Sequence, residues 1–479
     1  MRSWTLLGLI VLGMLVLSAP TRAQGFGKIV GTVSDPSGAV IPNAKLTATE
    51  AGKGFSRAAS TDSDGYYVLD SLRPAQYDLT IEATGFHTFV QKAVTLLTDQ
   101  TLTLNVSMQV GTVTATVSVL AGNNQVDTST PTMKQVIELS RIAELPSNGR
   151  NVAELTLSIP GSSGFVNAPN PTSTTAGGAL QGATKTFPGA VAIAVNGSRQ
   201  NQISYQLDGG NYVDEYTNVN QPFPMPDALQ EFSVQTSNYS AEYGQNAGAV
   251  VNIITKSGTN KLHGSAFEFV RTPALNARRW DQPTKDQIHR NQFGGTIGGP
   301  IRHDRSFFFG AYQGTVFHNV LPTTSQPVPN AAQRASATDP AVIKLLSFIP
   351  VGEASGRASF ARPDLQNFQE LTARIDHAFS KKTLMAVRYF YDRFTRNAVF
   401  DPNNILTYSD GSTIRSQNLL VHVTYIFRPT LINDLRFSFA PETAQRGPAA
   451  NAISVQDLGV NIPFQPRPKA IQQMLLNYA

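Results

Sequence analysis

Catalysis by this chain would have to draw on seven histidines and 33 Asp and Glu residues, because the 479-residue sequence contains no cysteine. That absence removes thiol nucleophiles, Cys-ligated zinc, iron–sulfur clusters and disulfide frameworks. It also removes a cysteine-linked lipid anchor. None of the histidines opens a His-x-x-Glu run, and no His-Glu-x-x-His zinc helix occurs. There is no Gly-x-Ser-x-Gly elbow and no Gly-x-Gly-x-x-Gly turn. Gly177-x4-Gly182-Ala-Thr-Lys185-Thr186 has the outline of a phosphate loop, but its lysine comes two residues late and no buried strand precedes it. Asp62-Ser-Asp64-Gly65 opens like a calcium loop, yet position 12 counted from Asp62 is Arg73, where a glutamate is needed. These aspartates read as turn formers. No pair of carboxylates stands out for acid–base work. The sequence therefore reads as non-enzymatic and implies no cofactor and no metal.

Two polar segments remain. Asp208-Gly209-Gly210, with Asn211 and Asp214 close behind, could face a ligand or could cap its own loop. Thr112, Val113, Thr114, Ala115, Thr116 and Val117 alternate apolar and hydroxyl side chains. Such a run suits strand addition, in which backbone bonds supply the affinity, and equally suits a last strand of the preceding module. The net charge of +5 is mild for this length and no Lys/Arg block stands out, so nothing favours a nucleic-acid partner.

The elements that position these residues are mostly strands. Charged residues make up only 15%, while Gly (37) and Pro (29) are plentiful, which favours turn-rich β structure over helical bundles. Residues 1–23 read as a cleaved secretory signal: Arg2 precedes an apolar run from Trp4 to Leu17, too short to span a bilayer, and small residues surround Ala23. From 25 to 109, short alternating runs separated by Gly, Pro and Asp turns predict a small β-sandwich. Residues 110–131 read as a linker. From 132 to 258 a small mixed α/β unit is expected, with a short helix over Val152–Leu157 whose start lies near Ser147 or Asn148. Val136–Leu145 fits helix and strand spacing alike. Ile203–Leu207, Glu231–Val234 and Ala249–Thr255 read as strands, and Lys256-Ser-Gly-Thr-Asn260 as a sharp turn.

Beyond that turn, from 259 to 479, the alternation becomes two-faced. Met385, Val387, Tyr389 and Tyr391 oppose Arg388 and Asp392; Leu371, Ala373 and Ile375 oppose Thr372, Arg374 and Asp376. Leu419, Val421, Val423, Tyr425 and Phe427 oppose His422 and Thr424, and Leu435, Phe437 and Phe439 oppose Asp434 and Arg436. A soluble sandwich and a lipid-embedded barrel both produce this pattern. Aromatic residues towards strand ends and the long segment Val316–Leu365, read as an external loop, favour the barrel.

Family resemblance narrows the choice. GTVSDPSGAVIPNAKLTAT and TDSDGYYVLDSLRPAQYDLTIEATGF resemble the carboxypeptidase regulatory-like family, a transthyretin-like, carbohydrate-binding-like sandwich without catalytic residues. ELPSNGRNVAELTLSIPG, AVNGSRQNQISYQLDGG and DALQEFSVQTSNYSAEYGQNAGAVVNIITKSGTN resemble the plug of TonB-dependent receptors, more narrowly the Oar-like group. HGSAFEFVRTPALNARRW, HRNQFGGTIGGPIRHDRSFFFGAYQG and FQELTARIDHAFSKKTLMAVRYFYDRF resemble the opening barrel strands of that group.

The resemblance implies a mainly β protein of the outer membrane: a periplasmic sandwich, a plug, and an antiparallel transmembrane barrel, here incomplete. It implies energised uptake with TonB and its inner-membrane energising complex as partners, Thr112–Val117 as the contact segment, and outer-membrane lipid around the barrel. The ligand class is not readable; the sandwich fold points weakly to an oligosaccharide or a peptide. Barrels of this class have 22 strands, and residues 260–479 hold about a third of them at roughly ten residues per strand. A C-terminally truncated chain is the expectation. The alternative is a secreted or surface β-sandwich protein for adhesion or carbohydrate binding, without transport.

Overall fold

The computed structural model describes residues 26–111, 116–120, 132–138, 150–164, 193–199, 202–214, 218–239, 243, 246–278, 280, 284–321, 323–428, 431–454 and 456–459. The expected signal segment, Thr112–Ala115 and most of the expected linker lie outside these residues, as do Ser147 and Asn148.

In the first unit, alternation places Ile29, Val33, Leu46, Ala48, Tyr67, Leu69, Leu79 and Ile81 in one shared core. Burying such a side chain contributes about 1.5–3 kcal/mol, and two sheets closing face to face bury them all. One sheet joins Gly27–Ser34 to Tyr66–Leu72, Thr101–Thr103 and Val106–Ser107. The other runs in the order Ser56–Ser60, Lys45–Glu50, Ala75–Glu82, Thr88–Leu96, Thr116–Leu120. The Asp62 carboxylate accepts the N–H groups of Asp64 and Tyr66 at 3.0 and 2.9 Å, the turn-forming role its sequence context predicts.

The second unit is an inner module built on strands β1 (Met133–Glu138), β2 (Ile203–Leu207), β3 (Gly210–Asn211), β4 (Leu229–Ser237) and β5 (Ala249–Thr255). They pair in the order β1-β4-β5-β2-β3, with β2 parallel to β5 and the other neighbours antiparallel. Pairing to β4 makes 136–138 of the ambiguous run a strand, while 139–145 lie outside the described residues. The expected helix is a 3-10 helix over Val152–Ser158. It starts at Val152 as expected, but its cap is Asn151, whose side chain accepts the Ala153 N–H at 3.1 Å.

The third unit is one antiparallel sheet, the wall. It comprises β6 (His263–Arg271), β7 (His289–Arg302), β8 (Ser306–Val320), β9 (Pro363–Ser380), β10 (Thr383–Arg396), β11 (Gly411–Arg428), β12 (Leu431–Phe439) and β13 (Glu442–Gly447). The order is β6-β7-β8-β9-β10-β11, after which β12 and β13 both pair with β11. Among the described residues the sheet does not close on itself. The strands outrun the sequence estimate, so the long connection after β8 is shorter than expected. It is also structured: Thr324–Pro327 pairs with Arg357–Phe360, and two short helices cover Ala331–Ala335 and Pro340–Ser347.

Between inner module and wall the chain passes through Lys256–Asn260. A side chain at Gly258 would come within 2.2 Å of the Phe308 carbonyl oxygen and 2.6 Å of that of Gly299. Only glycine lets the turn lie flat on β7 and β8.

Candidate functional site

The wall has two chemically distinct faces. Leu371, Ile375, Phe379, Tyr425, Phe427, Leu435, Phe437 and Phe439 are exposed on the outward one. The inward face carries Thr372, Asp376, Arg388, Asp392, Asn418, His422 and Thr424, all buried. Period-two alternation dictates this split. Buried polar side chains need partners: within the wall Asp434 meets His422 and Ser438 meets Asn418, and the inner module supplies Asp208 to Arg388.

Asp208 is the focus. It follows β2 at a positive φ of 52°, with Gly209 also left-handed at 79°. That tight turn leaves its carboxylate free to accept the Thr255 N–H at 2.9 Å and the Thr255 hydroxyl at 2.9 Å, tying β2 to the end of β5. The same carboxylate faces two wall arginines. Arg374 Nη1 donates to Oδ1 at 3.3 Å, and Arg388 Nε stands 2.7 Å from Oδ2. Arg374 is held by a two-pronged pair with Asp376 at 2.9 and 3.1 Å, and also donates to the Thr255 carbonyl at 3.0 Å. Arg388 donates to Asn418 at 2.6 Å. All four charged side chains are at most 11% exposed, so the attraction is little screened by solvent.

The sandwich joins the same network. Arg73 donates to Asp376 at 3.0 Å, across 303 residues of chain. A second contact set fastens it to the inner module: Asp99 Oδ2 accepts from Gln235, Tyr243 and Asn252 at 2.9, 2.5 and 3.0 Å. Beside it the Thr98 N–H points between both oxygens of Glu231, at 3.1 and 3.2 Å. Burial pushes the Glu231 carboxyl above its usual range, against the opposing pull of Lys134 and the Thr98 N–H. At the far edge Arg150 of the inner module pairs with Asp227 and lies 4.6 Å from the ring centres of both Phe267 and Phe269 on β6.

The other singled-out residues fall elsewhere. Asn211 is exposed on the β2–β3 hairpin, and Asp214 is buried on a two-residue strand paired with Val219–Asn220. Thr116 and Val117 open a strand that pairs in parallel with Thr88–Leu96 and forms the outer edge of its sheet. Arg374 and Arg388 were visible in the sequence as charges opposite an apolar face. Arg73, Thr98 and Asp99 carried no such signal.

Residues 254–339 and 323–476 match the family described as outer membrane beta barrel domain, and residues 28–109 match the carboxypeptidase regulatory-like domain. The TonB-dependent transporter Oar of Myxococcus xanthus is 25% identical over 329 residues, covering 64% of this chain. The chain spans 28% of that protein's length. Among solved structures, the ferric enterobactin receptor of Pseudomonas aeruginosa aligns with 65% of this chain and 41% of its own, at 12% identity and a TM-score of 0.41. The outer membrane transporter YddB of Escherichia coli aligns with 65% and 39%, at 11% identity and a TM-score of 0.40.

Proposed function

We propose that this chain, a homologue of the TonB-dependent transporter Oar with a carboxypeptidase regulatory-like domain ahead of an outer membrane β-barrel domain, works in energised uptake of a ligand across the outer membrane. In this reading the inner module is the plug. The observation that carries the proposal is the seam around Asp208. One carboxylate is shared there between two wall arginines, beside the apolar contact of Phe390 with the module's core.

The driving partner in this reading is TonB, powered from the inner membrane. Strand addition to the Thr112–Val117 segment would couple the two, using the edge that the Thr116–Leu120 strand leaves open. Of Asp208, Asn211 and Asp214, which follow β2, Asn211 is exposed and could meet a ligand approaching the module. The transported ligand is proposed only as a class, an oligosaccharide or a peptide. No step in the cycle calls for a cofactor. The eight wall strands leave unpaired edges among the described residues, and a lipid-embedded sheet must have such edges paired by further strands.

The experiment is a titration of a peptide covering Thr112–Val119 against the periplasmic domain of TonB. Saturable binding that a proline at Thr116 abolishes is expected, since proline removes a ladder donor. A flat titration would remove the coupling assignment.

A further inference from the structure

We propose that the outward face of the wall carries a binding site for a phosphate-bearing lipid headgroup of the outer leaflet, centred on Arg393 and Arg415. This goes beyond the uptake reading and does not depend on it.

The outward face can be ranked by height. Short turns join β7 to β8, β9 to β10 and β11 to β12, whereas long connections leave the opposite ends. In outer-membrane barrels the short turns face the periplasm. Starting from that end, Phe427, Tyr425, Val423, Val421 and Leu419 climb the outward side of β11 to Gln417. At about 3.3 Å per residue and a tilt near 40° that climb is about 25 Å, the height of a lipid-facing band. Tyr312, Leu371, Tyr391 and Gln417 share the row at its top.

One row higher stand Phe293, Gly314, Gln369, Arg393 and Arg415 in successive register. Arg393 and Arg415 are direct cross-strand partners on the same face. Like charges placed opposite each other destabilise a sheet unless something neutral or negative intervenes. Among the described residues no carboxylate does so. On β9, β10 and β11, no carboxylate occupies the outward side in this row or in the two above and below it. Among the described residues no ion pair reaches either arginine, and Arg393 Nε is buried without a hydrogen-bond partner.

Beside Arg393 lies a groove of about 250 Å³ lined by Phe293, Tyr312, Asn367, Gln369 and Thr395. Phe293 lies against Gly314, where a side chain would come within 2.8 Å of its ring. The floor is therefore aromatic, the rim donates hydrogen bonds, and both cations sit where acyl chains end and headgroups begin. Guanidinium groups pair with phosphate through parallel N–H bonds, and basic clusters at a membrane surface attract anionic headgroups. Such a ligand supplies the missing negative charge and lays its first methylenes along Tyr312 and Tyr391.

The test uses the full chain in detergent and measures lipid retention by native mass spectrometry. The probes are diphosphoryl lipid A, the same lipid with its phosphates removed, and inorganic phosphate as competitor. Retention of the phosphorylated lipid should fall about tenfold or more in R393Q/R415Q. It should survive in R393K/R415K, and in R428Q, which removes an exposed charge at the opposite end of β11. Should the double variant fail to fold, R415Q alone, at an exposed position, is expected to show a partial loss. Equal retention of the dephosphorylated lipid, or unchanged retention in the glutamine variants, would overturn the proposal. Displacement by inorganic phosphate at the lipid's own concentration would also overturn it, by assigning the site to free phosphate.

Discussion

Asp208 Oδ2 and Arg388 Nε meet at 2.7 Å across the boundary between the inner module and the wall, with both side chains under one-tenth exposed. A buried pair of this kind adds little net stability over an apolar one, but removing one partner strands the other. Asp208→Ala leaves Arg388 buried without its counter-charge, while Arg374 keeps Asp376. The expected cost is about 3–5 kcal/mol, read as a lower urea midpoint. Asp208→Asn keeps an acceptor for Thr255 and should lose less. A midpoint unchanged in Asp208→Ala would show that the cluster is not formed.

The seam also offers a covalent probe. A side chain at Gly210 on β3 would lie 3.2 Å from the Cβ of Ser438 on β12, close to the spacing a disulfide needs. Because the chain has no cysteine of its own, G210C/S438C gives an unambiguous pair. We expect spontaneous oxidation and, in cells that take up the ligand, uptake that is blocked when oxidised and restored by reductant. Full uptake through the oxidised form would contradict a moving inner module.

Glu231 sets a pH dependence for the contact between sandwich and inner module. Its folded-state pKa is raised by burial, so the folded form binds its proton more tightly than the unfolded chain does. The associated stability is complete below the ordinary glutamate pKa and is lost as pH rises through the raised value. Glu231→Gln cannot titrate. The difference in thermal midpoint, wild type minus variant, should therefore decline from about pH 4.5 upward. Parallel curves would sink the idea.

Depth in the lipid predicts a graded response along β11. Val421→Arg places a charge near the middle of the outward band and should cost about 2–4 kcal/mol in a bilayer, whereas Thr413→Arg, above the band, should cost about 0–1 kcal/mol. Equal costs at the two positions, measured by unfolding in lipid, would argue against the membrane placement.

Much of this architecture is legible in the sequence because alternation and turn chemistry are local. The opposition of Arg388 and Asp392 to Tyr389 and Tyr391 is visible along one strand, and so is the glycine-bearing turn at Lys256–Asn260. Asp208 stands out through its Asp-Gly-Gly turn, although its true neighbours are Arg374 and Arg388, supplied by β9 and β10. Arg73 and Asp99 were invisible for a physical reason. Each sits in a short turn whose local role any polar residue could fill, and its partners lie 303 and 136–153 residues away. The cap at Asn151 was missed because Ser147, Asn148 and Asn151 all satisfy the N-terminal preference, and only the backbone trace chooses among them.

Arg73 and Asp99 belong to one folded sandwich yet grip different bodies, Arg73 the wall and Asp99 the inner module. On the proposed uptake reading, a tug transmitted through the sandwich is resisted in parallel by its contacts to the wall and its contacts to the module. If the Arg73 pair yields first, sandwich and inner module travel together as one piston. If the Asp99 cluster yields first, the sandwich peels away like a hinged cover and leaves the module seated. In that reading the mode of opening is selected by the balance between the contacts to the module, Thr98 with Glu231 among them, and those to the wall, where Phe26 meets His422 and Phe55 meets Phe307.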